Sequence, residues 1–411
     1  MKAEIIAVGN EVVDGYVINT NASYIAKQLS KLGIETASHR TVRDDEKVIK
    51  TVVNEAVDKY DYVVLTGGLG PTKDDLTKEA VCDALKKPLI LNHNILRDIE
   101  QSFINRNKNM PKINIKQAMF PEDAYILKNE YGTAPGCVIS HNNSKIVLLP
   151  GPPSELKIMV EEELVLYINN RTKMDNYIET LDIKLFGISE SLVVEIMTEK
   201  LGETIWENTA TYVGENEIIV RITKSDVDRE KAKDYIYDKR QQIEKCFENN
   251  IIGYNEDKVE DNIVKLLLEK SKTIATIESC TGGMLAETLI NCGGVSACFN
   301  EGVITYSNEA KIKYADVSAN TLNTVGAVSE ETAVQMAEGI KKVSGADIGL
   351  STTGIAGPGG GSKDKPVGLV YIAIAMPKRT YVYQLNLTGS RRQIRELAVK
   401  NVLFNLLKLL R

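Results

Sequence analysis

The chain has 411 residues, 43% of them hydrophobic and 26% charged, with a formal net charge of −6. That length is too great for one ordinary core and predicts two or three domains, while the acidic balance offers no basic face for nucleic acid or an anionic membrane. No run of 18 apolar residues occurs, and Met1-Lys2-Ala3-Glu4 leads straight into a strand pattern, so neither a signal peptide nor a membrane span is expected and the location expected is cytoplasmic.

Residues 1–168 alternate strand and helix patterns. Glu4–Val8, Ile34–Ser38, Tyr62–Thr66 and Lys145–Leu149 read as strands. Residues 21–32, 46–59, 74–85 and 154–167 read as helices. This alternation predicts an α/β domain with a largely parallel sheet covered on both faces, and ligands bound beyond the carboxyl ends of its strands. At one such end, Thr66-Gly67-Gly68-Leu69-Gly70-Pro71-Thr72-Lys73-Asp74-Asp75-Leu76-Thr77 opens a helix. Gly67, Gly68 and Gly70 let backbone N–H groups close on an anion, and Asp74 and Asp75 are hard oxygen ligands suited to a magnesium-like cation. The other reading of the two aspartates is acidic first-turn charge on the helix. A second phosphate-compatible turn is Leu149-Pro150-Gly151-Pro152-Pro153-Ser154-Glu155, contributing Gly151 and Ser154.

Residues 171–250 differ in texture. A strand (180–186), a helix capped near Ser189, a hairpin turning at Gly214-Glu215-Asn216 and a helix from Asp228 to Phe247 suggest a small α+β module. It carries 12 Lys and Arg against 17 Asp and Glu, which argues against nucleic-acid binding. Residues 253–258 mark the next boundary, and residues 256–411 return to an α/β pattern, with strands near 273–277, 300–306, 347–353, 367–376 and 380–387. Ser329 before Glu330 and Glu331 is a candidate N-cap, and the last helix is expected from Arg391 to Leu410.

The sharpest chemical signal lies in this last region. The apolar run Ile274–Ile277 ends in Glu278-Ser279-Cys280-Thr281-Gly282-Gly283, a nucleophile-rich turn, yet no histidine follows His141. If Ser279 is a nucleophile, its base is not an imidazole, and Lys311 in Tyr306-Ser307-Asn308-Glu309-Ala310-Lys311 is the nearest candidate. A lysine base must be neutral, which needs desolvation or a nearby cation. Amides around Thr281, Gly282 and Gly283 are candidate oxyanion donors. Cys280 is a buried neighbour or the rival nucleophile. The six cysteines contain no C-x-x-C pair and the three histidines are scattered, so a zinc site is not expected.

Two resemblances follow from these motifs. TGGLGPTKDDLT, with Ala7-Val8-Gly9-Asn10-Glu11, Gly132-Thr133-Ala134-Pro135-Gly136 and the LPGPPSE turn, resembles the molybdopterin-binding fold as found in the amino-terminal domain of the CinA (competence/damage-inducible) family. That resemblance implies metal-dependent cleavage of ADP-ribose to AMP and ribose 5-phosphate with a divalent cation of the Mg or Co type. By motif position, Asp75 and Asp44 match its recurrent acidic residues, so Asp44, Asp74 and Asp75 are the candidate metal ligands. Asn10 departs from the aspartate, serine or threonine that relatives often carry.

ESCTGG, then Glu301–Lys311, Gly326-Ala327-Val328-Ser329 and Thr353-Gly354-Ile355-Ala356-Gly357-Pro358-Gly359-Gly360, resembles in order the nicotinamide mononucleotide deamidase family, which CinA proteins carry as their second domain. It implies Ser279 as nucleophile, Lys311 as general base, Tyr306 as an orienting group and no cofactor for the deamidase. Thr353, Gly354 and Gly357 would line the substrate, and Arg391, with Arg395 four residues on along one helix face, would hold its phosphate.

The expected architecture is therefore a molybdopterin-binding-like three-layer α/β domain (1–168), a KH-like α+β linker domain (171–250) and a C-terminal α/β deamidase domain (256–411). The middle module lacks a G-x-x-G loop and reads as a spacer or dimer contact, and a homodimer acting on small nucleotides is expected. The competing expectation is a molybdopterin-fold binding or regulatory protein with one or both sites inactive. Service in molybdenum-cofactor assembly is disfavoured by the LGPTKDD form and the fused second domain.

Overall fold

The computed structural model describes residues 1–171 and 177–411. The chain divides into two compact units, one of Met1–Thr180 with Lys224–Tyr235 and one of Leu181–Thr223 with Ile236–Arg411.

In the first unit, β1 (Lys2–Val8), α1 (Thr20–Lys31), β2 (Glu35–Val42), α2 (Glu46–Ala56), β3 (Tyr62–Thr66) and α3 (Thr77–Ala84) alternate as expected, and α4 (His93–Asn105), which was not among the expected helices, comes next. They are followed by β4 (Tyr125–Leu127), β5 (Gly136–His141), β6 (Ser144–Leu149) and α5 (Pro153–Met159). The sheet order is β2-β1-β3-β6-β5-β4. Its first four strands are parallel, and β5 and β4 are added antiparallel. The two antiparallel strands were not legible because residues 125–141 carry neither a helical period nor a long apolar run.

Alternation along the strands makes the three layers. Ile6, Val63, Leu65 and Leu148 pack with α2 and α3 on one face, whereas Ile5, Val64 and Val147 pack with Ile25, Leu29 and Leu156 on the other. Every residue of β3 is buried, as a central parallel strand requires. The helix expected from Asp74 starts only at Thr77, because residues 71–76 form a loop that folds back on itself. Asp74 and Asp75 are thus loop residues, not first-turn charges.

The middle module consists of β7 (Tyr177–Leu185), α6 (Glu190–Leu201), the hairpin β8 (Thr209–Gly214) and β9 (Glu217–Asp226), α7 (Arg229–Phe247) and β10 (Ile251–Tyr254). Ser189 caps α6 by accepting from the Leu192 amide. The four strands lie in the order β8-β9-β7-β10. β10 pairs antiparallel with β7, so this sheet reaches Tyr254, beyond the expected edge at residue 250.

The C-terminal region has α8 (Val259–Glu269), β11 (Ile274–Glu278), α9 (Met284–Ile290), β12 (Phe299–Ile304), α10 (Asn308–Ala315), α11 (Glu330–Ser344), β13 (Ile348–Gly354), β14 (Leu369–Ala375), β15 (Thr380–Asn386) and α12 (Arg391–Leu410). The sheet runs β12-β11-β13-β14-β15, with β11 parallel to both neighbours and β14 and β15 antiparallel. α8 and α12 cover one face with Ile263, Leu267, Val402 and Leu406, while Met336 and Ile340 of α11 cover the other. Ser329 caps α11 through the Thr332 amide. Among the described residues no helix is long and apolar enough to cross a membrane.

Candidate active sites

Ser279 and Lys311 are 32 residues apart, yet the fold makes them neighbours. β11 and β12 are parallel, with Glu278 in register with Ile304, so both chains leave the sheet side by side at its carboxyl edge. Ser279 is the first residue past β11, and its amide donates to the Thr352 carbonyl of β13 at 2.9 Å. The chain past β12 turns into α10, whose cap Ser307 accepts from the Ala310 amide, and the first turn of α10 delivers Lys311.

Lys311 Nζ lies 3.1 Å from Ser279 Oγ and donates to the Thr305 carbonyl at 2.7 Å and to the Tyr306 carbonyl at 3.5 Å. The side chain is only 1% exposed, and every partner of its nitrogen is a neutral oxygen. Burial without a carboxylate favours the uncharged amine and lowers its pKa from the ordinary lysine value. Desolvation thus shifts Lys311 toward the neutral form that a base requires.

The turn itself is held by Glu278, which the sequence reading passed over. Its buried carboxylate accepts from the amides of Gly283, Leu285 and Ala286 and from Thr281 Oγ1, at 2.7–3.0 Å. Thr281 Oγ1 is also 2.6 Å from Thr352 Oγ1. The available signal was a lone carboxylate closing an otherwise apolar strand, a placement tolerated only when hydrogen bonds replace its water.

This network corrects one expectation. The Gly283 amide is occupied by Glu278 and the Gly282 amide by the Ser279 carbonyl. In this arrangement neither Gly282 nor Gly283 offers a free amide to an oxyanion, which leaves Thr281 of the three expected donors. Burial pushes the Cys280 thiol up to about 12, so it stays protonated at neutral pH and is a poor nucleophile.

The other expected residues gather at the same edge. Arg391 donates to the Gly357 carbonyl at 2.6 Å and to Tyr306 Oη at 3.3 Å, and Arg395 donates to the Thr281 carbonyl. Both guanidinium groups bond to neutral oxygens, so their charge remains available to an anion. Arg392, by contrast, is paired with Glu396. Thr353 is buried and its hydroxyl donates to the Ala327 carbonyl, which makes it a support for the adjacent loop and commits its one O–H donor. Gly354 ends β13 beside Val370.

The first unit holds a cavity of about 710 Å³ at the carboxyl edge of its parallel strands. Gly67, Gly68, Gly70, Gly151, Asp44, Asp74 and Asp75 line it, as does Glu11, which follows β1 and was not among the expected site residues. Ser154 is exposed and is not part of the wall, contrary to expectation, because α5 begins at Pro153 and its first turn carries Glu155 to the cavity instead. A Cβ on Gly70 would stand 2.5 Å from the Asp75 carboxylate, so only glycine lets that side chain lie where it does.

Asp44 accepts from the Asn10 amide at 2.8 Å. Its pKa is raised, first by burial and further by the charges of Glu11 and Asp75. Asp75 turns one carboxylate oxygen back onto the Thr72 amide and hydroxyl, at 2.8 and 2.6 Å. Among the described residues no three histidine, cysteine, aspartate or glutamate side chains converge as a metal cluster. Asp44, Asp74 and Asp75 therefore share a cavity without forming the three-ligand set expected of them. The donors nevertheless suit a hard cation: a divalent ion would relieve the charge that Glu11 and Asp75 place on Asp44, and magnesium commonly takes only one or two carboxylates, with phosphates and water completing its shell.

Family models match along most of the chain: a probable molybdopterin binding domain over residues 4–170, a damage-inducible protein CinA KH domain over 181–253 and a CinA C-terminal domain over 256–410. A putative competence-damage inducible protein of Clostridium novyi is 45% identical over 96% of this chain and 95% of its own length. A CinA-like protein of Kosmotoga olearia is 44% identical over 97% of this chain and 96% of its own. The crystal structure of a CinA superfamily protein from Klebsiella pneumoniae is 33% identical, covering 37% of this chain and 94% of that one, with a TM-score of 0.36. With relatives at this identity aligned along almost the entire length, the chain belongs to the competence/damage-inducible CinA family.

Proposed function

We propose that the C-terminal site is a serine–lysine amidase that converts nicotinamide mononucleotide to nicotinic acid mononucleotide and ammonia. The observation that carries this is the 3.1 Å contact between Ser279 Oγ and a buried Lys311 amine with no carboxylate partner. Neutral Lys311 takes the Ser279 proton as Oγ attacks the carboxamide carbon. The amides of Cys280 and Thr281 receive the oxyanion, and Lys311 returns the proton to the departing ammonia. Water, deprotonated by the same amine, then hydrolyses the acyl ester. Arg391 and Arg395 hold the phosphate. Quenching the reaction with substrate and mapping the adduct by mass spectrometry tests the proposal: an acyl group on the peptide containing Ser279 is expected, and an adduct on Cys280 alone would refute it.

The N-terminal cavity is read as an ADP-ribose pyrophosphatase. Supporting this is its charge: Glu11, Asp44, Asp74, Asp75 and Glu155 line it, and no lysine, arginine or histidine does among the described residues. A pyrophosphate can enter such a wall only with its charge neutralised, and a divalent cation held by Asp44 and Asp75 would supply that and polarise the phosphoanhydride. The glycine-rich turns after β3 and β6 bring backbone close to the ligand. AMP release from ADP-ribose, abolished by chelation and restored by magnesium or cobalt, is the expected result.

A further inference from the structure

Glu155 is the carboxylate of the N-terminal cavity that lies farthest from Asp44 along the strand order. Along the carboxyl edge the strand order places Asp44 after β2, Glu11 after β1, Asp74 and Asp75 after β3, and Glu155 after β6. Neighbouring strands lie about 4.8 Å apart, so the β2 and β6 ends are separated by roughly 14 Å. A pyrophosphate anchored by cation at the β2–β3 end leaves the β6 end to the rest of the ligand.

Glu155 is also held in place by a dedicated neighbour. Asn129 Nδ2 donates to Glu155 Oε2 at 2.6 Å and to the Ala134 carbonyl at 2.9 Å, while Asn129 Oδ1 accepts from the Tyr131 and Gly132 amides. All of the amide's polar atoms are engaged, so its orientation is determined. Gly132 presses against the same oxygen: a Cβ there would lie 2.1 Å from Glu155 Oε2. The second oxygen, Oε1, has no partner among the described residues, and the side chain lines the cavity. Among the described residues no lysine, arginine or histidine lines the cavity there.

An ionised carboxylate only accepts hydrogen bonds, so a fixed, unpaired oxygen selects a ligand that presents a donor and repels one that presents phosphate. We infer that Glu155 accepts a ribose hydroxyl of the bound nucleotide and sets the specificity of this cavity for a sugar pyrophosphate with a free hydroxyl at that point. The inference rests on the pyrophosphatase reading and adds the residue that recognises the sugar. Asn129 is its positioning residue. Either ribose of ADP-ribose could supply the hydroxyl, and deoxy analogues separate the two.

The experiment compares ADP-ribose with analogues lacking a hydroxyl on the adenosine ribose or on the terminal ribose. Each is assayed with the full-length wild type, Glu155→Ala and Glu155→Met under saturating magnesium, with thermal unfolding measured in parallel. For the wild type, one of the two deoxy analogues should raise KM by about 10- to 100-fold with little change in kcat. Both variants should raise KM for ADP-ribose by a similar factor and no longer distinguish that analogue from the parent. Discrimination retained in the variants would overturn the inference. So would a collapse of kcat at unchanged KM, which would place Glu155 in the chemistry, or a fall in melting temperature alone, which would leave it a helix-end charge. A wild type that releases no AMP from ADP-ribose would instead defeat the underlying reading, and the inference with it.

Discussion

The Thr305 carbonyl accepts from Lys311 Nζ at 2.7 Å, a shorter contact than the 3.1 Å from that nitrogen to Ser279 Oγ. A neutral amine has two N–H donors and one lone pair. Directing one donor at Thr305 leaves the lone pair free to face the Ser279 hydroxyl, so the backbone just past β12 orients the base for its task.

The state of that amine should be visible in the pH dependence of deamidation. Lys311 works as a base only when neutral, and burial lowers its pKa from 10.5. The kcat/KM for nicotinamide mononucleotide should rise about tenfold per pH unit on the acid limb and level off below the ordinary lysine range. A limb that keeps rising through pH 10.5 would mean that Lys311 is not desolvated in solution.

Glu278 should matter to fold and rate together. Its carboxylate accepts four hydrogen bonds that fix the turn carrying Ser279. Glu278→Gln replaces one accepting oxygen by a donor facing N–H groups, and should lower unfolding stability by about 2–3 kcal/mol. It should also lower kcat more than it changes KM, since the nucleophile moves while Arg391, held by Gly357 and Tyr306, stays. An unchanged melting temperature and kcat would contradict this role.

Asp44→Asn and Asp75→Asn should each reduce AMP formation from ADP-ribose by about 100-fold or more. Both should also weaken manganese binding measured directly by titration, while ammonia release by the C-terminal site stays at the wild-type level. Wild-type manganese affinity in both variants would remove these residues from the metal site.

Lys78 offers a stability test independent of catalysis. It is buried, donates to the Lys116 and Gln117 carbonyls, and burial lowers its pKa to about 8. Below pH 8 both folded and unfolded chains carry its proton and the burial penalty is fully present. Between about pH 8 and the ordinary value of 10.5 only the unfolded chain binds that proton, so stability rises with pH in that window. Urea unfolding should show that wild type gains stability over this window relative to Lys78→Met. Parallel pH curves for the two proteins would contradict the assignment.

What the sequence made legible followed from period and punctuation. β3 was placed at its observed bounds because it is an unbroken apolar run, and the last helix was expected from Arg391 to Leu410, where α12 lies with Ser390 as its cap in the structure. Ser279 and Lys311 could be paired because few bases were available, but their contact depends on β11 and β12 being adjacent and parallel, a long-range fact. The roles of Glu278 and Asn129 were hidden for a similar reason. A carboxylate or an amide becomes a support only through the amides and oxygens that the fold brings to it. The start of α3 was misplaced because Asp75 prefers to close a turn on Thr72, a local competition that helical periodicity does not register.

The most direct test is ammonia release from nicotinamide mononucleotide by the full-length wild type, Ser279→Ala, Lys311→Met and Cys280→Ala under identical conditions, with folding checked by thermal unfolding. The serine–lysine account predicts release by wild type and Cys280→Ala, and a loss of about 1,000-fold or more in Ser279→Ala and Lys311→Met. Undiminished release in those two variants, or its disappearance in Cys280→Ala alone, would contradict it.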